Sequence, residues 1–418
     1  MKKVSERDKR NKSINSIMEH EGKETIEEML TGNQARFVQA AVDTEIDEFL
    51  GRKHYEHGDS SKGYRNGFYF KDVELPGAAF TIKRTTFRNT KEKFVSRVLK
   101  GIAHISDKIK TMALEMYVRG LSTRDIEATL VEADGTPMFS KSGVSILAKR
   151  LYGEYLKFSQ RDLSEFDVVY LFVDGVYESV RRYTNNQTLL CAWAILSDGR
   201  KEFLHLCAVE SESTEAWEMF FSDMKNRGLR QPLLIISDGA AGVIAATEKH
   251  FPKADRQRCI AHKLRNIAAK LPRDVQKVVL EEIKSVYYAS DHGAAKLLAS
   301  NIIEKYGEKY SSAIRCFSDD LDACLVHLKY PLGHRKYIRT TNLMERAFEE
   351  EKRRTKVFPQ HQHEKSALGL VFAVLIRASQ KWQRVSMSDI ELVQLKHIRS
   401  LMQKKNESQN YISYQLAV

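Results

Sequence analysis

Shifts of hydrophobic period along the chain predict a multidomain protein of mixed α+β and α/β class. Helical spacing runs between residues 25 and 50, aromatic and β-branched runs follow within 58–88 and return from 166, and helical spacing alone fills 263–339. A third observation is chemical. Asp174 in VVYLFVDG and Asp238 in PLLIISDG sit inside or at the end of apolar runs, where a carboxylate needs a partner.

Residues up to Gly22 read as a polar tail, and Ile26, Leu30, Phe37, Val38, Ala41, Val42, Ile46, Phe49 and Leu50 then recur at helical spacing. Two helices broken near Gly32 and Asn33 are expected. The runs either side of Pro76-Gly77 predict a β-hairpin rich in Lys and Arg. Its charges suit DNA, or simply protect an edge strand. Residues 1–105 are thus expected to serve DNA binding or oligomerisation.

Residues 106–162 predict a helix-turn-helix. KTMALEMYVRG closes on Gly120, Ser122 can cap STRDIEATLVEA, and Ser140 or Ser142 can cap SGVSILAKRLYGEYLKF. Lys141, Ser142, Ser145 and Lys149 would then meet a major groove or its phosphates. A plain three-helix bundle is the other reading.

From Phe166, DVVYLFVDGVYESVRR, QTLLCAWAILSDG and KEFLHLCAVE predict an antiparallel meander. Helix STEAWEMFFSDMKNRGL, strand PLLIISDG, helix AGVIAATEKHF and strand ADRQRCIAH follow. This order, β-β-β-α-β-α-β, is that of a ribonuclease-H-like fold. A catalytic core is expected over 163–262, interrupted by an all-helical insertion over 263–339, resuming over 340–403 and ending in a polar tail, 404–418.

The chain has 418 residues and is 42% hydrophobic, enough for sizeable cores. Its 67 Lys and Arg against 55 Asp and Glu leave +12, a balance that favours a polyanion such as nucleic acid. Five scattered cysteines suit a reducing compartment. The basic N-terminus lacks an apolar core behind it, and ALGLVFAVLI from Ala367 is too short for a bilayer. A soluble, cytoplasmic, nucleoid-associated protein without membrane contact is expected.

Glu345, in TTNLMERAFEEEKRR, is the third acid of interest. Carboxylates on two adjacent strands and a facing helix can share two Mg²⁺ (or Mn²⁺) ions about 3.5–4 Å apart, the arrangement for in-line displacement at a phosphodiester. Each acid has a plainer reading. Asp174-Gly175 resembles a turn pair, as Asp198-Gly199 does in SDGR, although more strand follows Asp174. Asp238 can cap AGVIAATEK, Asn342-x-x-Glu345 can form a capping pair, and Glu349, Glu350 and Glu351 rival Glu345. Arg346, Arg353 and Arg354 would neutralise phosphates or pair with these glutamates along a solvated face. Phosphate loops, H-E-x-x-H and G-x-S-x-G are absent from the sequence. Cys259-x-x-His262 is half a zinc site that His361-x-His363 would have to complete, or a structural pair.

GYRNGF at Gly63, MYVRGLSTRDIE at Met116, YLFVDGVY at Tyr170, ESESTEAW at Glu210, ISDGAAG at Ile236, QRCIAHKLRNI at Gln257 and TTNLMERAFEEEKRRTKVF at Thr340 occur in that order. In this ordered set, spread over roughly residues 25–385, the sequence resembles the prokaryotic Mutator-type insertion-sequence transposases of the DDE class. The resemblance implies that Asp174, Asp238 and Glu345 are the catalytic and metal-binding acids. It also makes Cys259 and His262 the C-x-x-H signature, and Trp217 a family tryptophan that reads equally as a core residue. Arg181, in the Val-Arg pair after DGVY, joins the expected DNA contacts. A Mg²⁺-dependent homodimer or higher homo-oligomer is implied, acting on double-stranded terminal inverted repeats and target DNA. A ribonuclease-H-like nuclease and a non-catalytic helix-turn-helix protein are the alternatives.

Overall fold

The computed structural model describes residues 34–56, 62–75, 78–131, 137–178, 187–355 and 364–415. Contacts divide the chain into two compact units, residues 1–117 with 121–147, and residues 118–120 with 148–418. Arg181, His361, His363 and the first expected helix lie outside the described residues.

In the first unit, helix α1 (34–50) buries Val38, Val42, Ile46 and Leu50, one residue per turn. Phe37, expected on the same stripe, is 77% exposed because its neighbour Val38 takes the inward position. Strands β1 (Tyr64–Leu75) and β2 (Ala78–Arg88) form the expected hairpin, closing at the pair Leu75 and Ala78. Val73, Phe80 and Ile82 share a core with α1 and with Leu99 of α2 (Arg97–Val118). Glu45 Oε1 accepts from the backbone N–H of Arg97 (2.9 Å) and Val98 (3.1 Å), satisfying donors that the start of α2 leaves open.

Helix α3 (Thr123–Thr129) has the expected cap: Asp125 N–H donates to Ser122 Oγ and Ser122 N–H to Asp125 Oδ2. Of the two serines that could cap α4 (Lys141–Ser159), Ser140 does so, accepting from Gly143 N–H at 3.1 Å. Val144, Leu147, Leu151 and Tyr155 are buried along α4, whereas Lys141, Ser142, Ser145 and Lys149 are exposed.

The second unit is built on a five-stranded mixed sheet, β3 (Val168–Glu178), β4 (Gln187–Leu196), β5 (Lys201–Val209), β6 (Leu234–Ser237) and β7 (Asp255–Arg258), in spatial order β5-β4-β3-β6-β7. β3, β4 and β5 form the expected meander, and β3, β6 and β7 run parallel. Helices α5 (Thr214–Asn226) and α6 (Ala241–His250) connect the parallel strands. Period-two alternation sends Leu171 and Val173 into a core with Trp217, Phe220 and Phe221 of α5 and Val243 of α6.

The last strand is shorter than the sequence suggested. ADRQRCIAH was expected to be extended throughout, yet pairing ends at Arg258, Cys259 takes the N-cap position and α7 runs over Ile260–Ala268. Its apolar residues Ile260 and Ile267 are spaced for a helix that packs on the next layer, not on the sheet. Helices α8 (Arg273–Tyr287), α9 (His292–Tyr306), α10 (Ser311–Ser318), α11 (Leu321–Leu325) and α12 (Leu332–Ile338), with a 3₁₀ turn at Val326–Lys329, come next without a strand. They own a separate core around Val279, Ile283, Tyr287, Phe317 and Leu325.

Helix α13 (Asn342–Thr355) and α14 (Glu364–Ser379) cover the other sheet face, where Met344, Phe348, Val371 and Phe372 pack on Tyr170, Phe172, Trp193 and Ile236. Helix α15 (Asp389–Gln415) continues through the stretch read as a polar tail. No described helix is long and apolar enough to cross a membrane.

Candidate functional site

Register brings the first two acids together. Phe172 on β3 pairs with Ile236 on β6 in parallel, and Asp174 and Asp238 each come two residues later. Residues two apart on a strand share a face, so Asp174 lies on the face of Phe172, toward α13. Asp174-Gly175 is no turn: both residues pair within β4, with Cys191 and Leu190. Asp198-Gly199, by contrast, does close the β4–β5 hairpin, with Gly199 N–H donating to Leu196 O at 2.9 Å.

Asp238 ends its strand on a left-handed turn. Gly239 has φ +84°, and a Cβ there would come 2.8 Å from Arg258 Nε, so only glycine fits. One carboxylate oxygen of Asp238 accepts from Ala240 N–H at 3.0 Å, and α6 starts without a side-chain cap.

Cys259 and His262 adjoin these acids at the start of α7. The buried Cys259 Sγ accepts from both Thr341 N–H and Thr341 Oγ1 at 3.3 Å, and Ile260 N–H donates to Arg339 O at 3.0 Å. Burial alone would raise the Cys259 thiol; hydrogen bonds from His262 and Thr341 outweigh it and bring the thiol down. His262 is pushed up to about 9, chiefly by its hydrogen bond with Cys259, then by the charges of Cys259 and Asp174.

Glu345, on the first turn of α13, faces α7. Its Oε1 accepts from Arg265 Nη2 at 2.5 Å and stands 3.9 Å from His262 Nε2. That geometry does not form the capping pair with Asn342. Among the rival glutamates, Glu349 is exposed and Glu350 pairs with Arg353 and Arg354, while Glu351 is buried within the helix. Arg353 and Arg354 thus form the i,i+3 and i,i+4 ion pairs open to them from sequence. Arg346 is exposed.

A fourth carboxylate was not singled out from the sequence. Glu212, in the loop before α5, accepts from Trp217 Nε1 at 3.1 Å and packs against Gly175, where a Cβ would come 2.8 Å from Glu212 Oε2. Trp217 is therefore both a buried core residue and the anchor of this acid. The signal was the pair Asp174-Gly175 itself: a glycine within a strand, outside any turn, marks a close approach.

Burial pushes the Asp174 carboxyl up to about 7; His262 opposes the rise, and Asp238 and Glu212 add to it. Glu212 is likewise raised, first by burial and then by Asp238. Among the described residues no three His, Cys, Asp or Glu side chains stand close enough together to hold a metal ion. The donor chemistry nevertheless suits one. Oxygen-only side chains, two of them level at neighbouring strands, match a hard divalent cation.

A family model described as "Transposase, Mutator family" matches residues 6–385. The transposase for insertion sequence element IS6120 of Mycolicibacterium smegmatis is 34% identical over 272 residues, 65% of this chain and 84% of that protein. That for ISRM5 of Rhizobium meliloti is 30% identical over 359 residues, 84% and 89% of the two chains. That for IS256 in transposon Tn4001 of Staphylococcus aureus is 28% identical over 377 residues, 89% and 95%. Among solved structures, a Drosophila P element transposase strand transfer complex aligns over 73% of this chain and 85% of that one, at 11% identity and a TM-score of 0.28.

Proposed function

The chain belongs to the Mutator family of transposases, and from that membership we propose a DDE transposase that binds the terminal inverted repeats of an insertion sequence, cleaves DNA strands and joins them to a target. The observation that carries this reading is that Asp174 on β3 and Asp238 at the end of the adjacent parallel β6 come level, with Glu345 on the helix packed over the same sheet face. The sheet order and the helical excursion before α13 support a ribonuclease-H-like core.

Asp174, Asp238 and Glu345 would hold Mg²⁺ or Mn²⁺, two ions per site, whose chemistry is to activate the incoming oxygen and stabilise the leaving one. The protein's own groups prepare that state. Burial raises the Asp174 carboxyl to about 7, so near neutral pH a proton competes with a cation for it. His262, protonated below about 9, supplies the positive charge that lets neighbouring acids coexist. Glu345 is stored on Arg265 and must release it, which frees a guanidinium for a DNA phosphate. Trp217 fixes Glu212 at the edge of the cluster.

Double-stranded DNA is the partner this reading requires, and a homodimer or higher homo-oligomer in the nucleoid is its expected setting. The exposed row Lys141, Ser142, Ser145 and Lys149 on α4 is the proposed repeat-reading face of a helix-turn-helix, with Arg181, Arg346, Arg353 and Arg354 as further phosphate contacts. The test is an oligonucleotide assay with the element's own ends and Mg²⁺. Cleavage followed by strand joining is expected. Cleavage without joining would instead describe a nuclease, and binding alone a non-catalytic regulator.

A further inference from the structure

A cleft of about 600 Å³ opens on the sheet face that α13 covers, lined by Phe172 of β3 and by Arg346 of α13. Lys201, Lys336, Arg346 and Lys381 line it together with Tyr337 and Trp382. Among the described residues none of these four cations has a carboxylate within ion-pair distance. Two of them rest on one ring instead: the Lys201 and Lys336 ammonium groups lie 5.4 and 4.8 Å from the Tyr337 centroid. Lys201 is held below its ordinary value by burial and by Arg346, so positive charge is concentrated there at a cost.

Such charge without acids calls for an anion, and the aromatic wall narrows its chemistry. A duplex backbone lies on an open surface and needs no indole. A single-stranded nucleotide brings a phosphate for the cations and a flat base for a ring. Trp382 is already braced, its ring 5.6 Å from that of buried Trp193, so stacking on it orders no loose side chain. Tyr337, carrying its two ammonium groups, is the electrostatic post rather than the stacking surface. Asn342 and Gln383 on the lining supply amide donors and acceptors for a base edge.

Position selects which nucleotide. Phe172 precedes Asp174 by two residues on the same strand face, about 7 Å, and Arg346 directly follows Glu345 on α13. We propose that this cleft receives one unpaired nucleotide of the DNA strand next to the scissile phosphate, its phosphate held by Lys336, Arg346 and Lys381 and its base laid on Trp382. The inference rests on the transposase reading and adds a strand-opening step to it: the end must be frayed before it is cut or joined.

The test compares binding, in EDTA, of a blunt duplex and of the same duplex with an unpaired terminal nucleotide carrying 2-aminopurine. Wild type should prefer the unpaired end and quench the fluorophore. Lys336→Ala with Lys381→Ala, both on exposed residues, should cost about tenfold on the unpaired end and flatten its salt slope by about 1.4, with blunt-duplex binding within about twofold. Trp382→Leu should abolish the quenching. Equal affinity of wild type for both DNAs, or equal losses on both, overturns the proposal. If that same wild type cuts and joins DNA in Mg²⁺, only the cleft falls; if it is inert toward DNA in every assay, the transposase reading falls with it.

Discussion

Asp174 on β3 and Asp238 immediately after the end of β6 each stand two residues past the paired Phe172 and Ile236. On β3 a shift of one residue would turn the Asp174 carboxylate to the opposite face, and Asp238 is held by the left-handed turn at Gly239 and by Ala240 N–H. Asp174→Asn or Asp238→Asn should therefore abolish cleavage, with a loss of more than about 10³-fold, while leaving repeat binding intact. A thermal melt separates this from misfolding. Mn²⁺ should raise the wild-type Tm and leave that of Asp238→Asn unmoved, and equal shifts in both would remove Asp238 from the metal site.

Gly175 is the gap that admits Glu212. Gly175→Ala forces a Cβ against Glu212 Oε2 and should cost roughly 1–3 kcal/mol of stability, read by urea melts. Adding Glu212→Ala to that variant should recover most of the loss. A double variant no more stable than Gly175→Ala would mean that the clash lies elsewhere.

Glu345 of α13 meets Arg265 and His262 of α7. Strand joining should vanish in Glu345→Ala and persist within about threefold in Glu349→Ala, since Glu349 is exposed and outside the cluster. Single-turnover assays on pre-cut ends decide the matter, and the reverse pattern would transfer the role to Glu349.

Acid should loosen the helical region of the second unit. Burial holds His327 down to about 4, with its ring nitrogens against Tyr287 O, Cys324 O and the Gln257 side chain. Its folded value lies below the unfolded one of about 6.5, so the unfolded state takes up the proton first. Stability is complete above about pH 6.5 and declines as pH falls toward about 4, by up to about 3 kcal/mol. Urea melts of wild type and His327→Gln between those limits should converge as pH falls; parallel curves would exclude His327 as the cause.

On α4, Lys149→Ala should weaken repeat binding and lower the salt slope by about 0.9, as measured by fluorescence anisotropy across a salt series. An unchanged slope would move the phosphate contact to the hairpin.

Much of this architecture was legible because burial and alternation leave strong marks. PLLIIS could only be a buried strand. Asp198-Gly199 and Asp174-Gly175 were separable by their next residues, a charged turn in one case and further strand in the other. The end of β7 was not legible: Cys259 and Ile260 are apolar in either conformation, and only packing against Arg339 and Thr341 decides for helix. Glu212 was hidden for a related reason. Its role depends on a glycine far away in sequence and on a tryptophan whose indole N–H happens to be the donor it needs. Glu345 was set apart from its neighbours by the resemblance and not by its local sequence, where capping and ion pairing were equally open; in the structure it lies against Arg265 and His262.

The contact of Thr341 with Cys259 Sγ closes a loop of 82 positions at its base. Closure entropy grows only logarithmically with length, about 0.6 kcal/mol per doubling, so the helices between Arg265 and Lys336 can lengthen or shrink at little entropic cost while His262 and Arg265 stay at the base beside the carboxylates. The excursion is in this sense a cartridge of adjustable length.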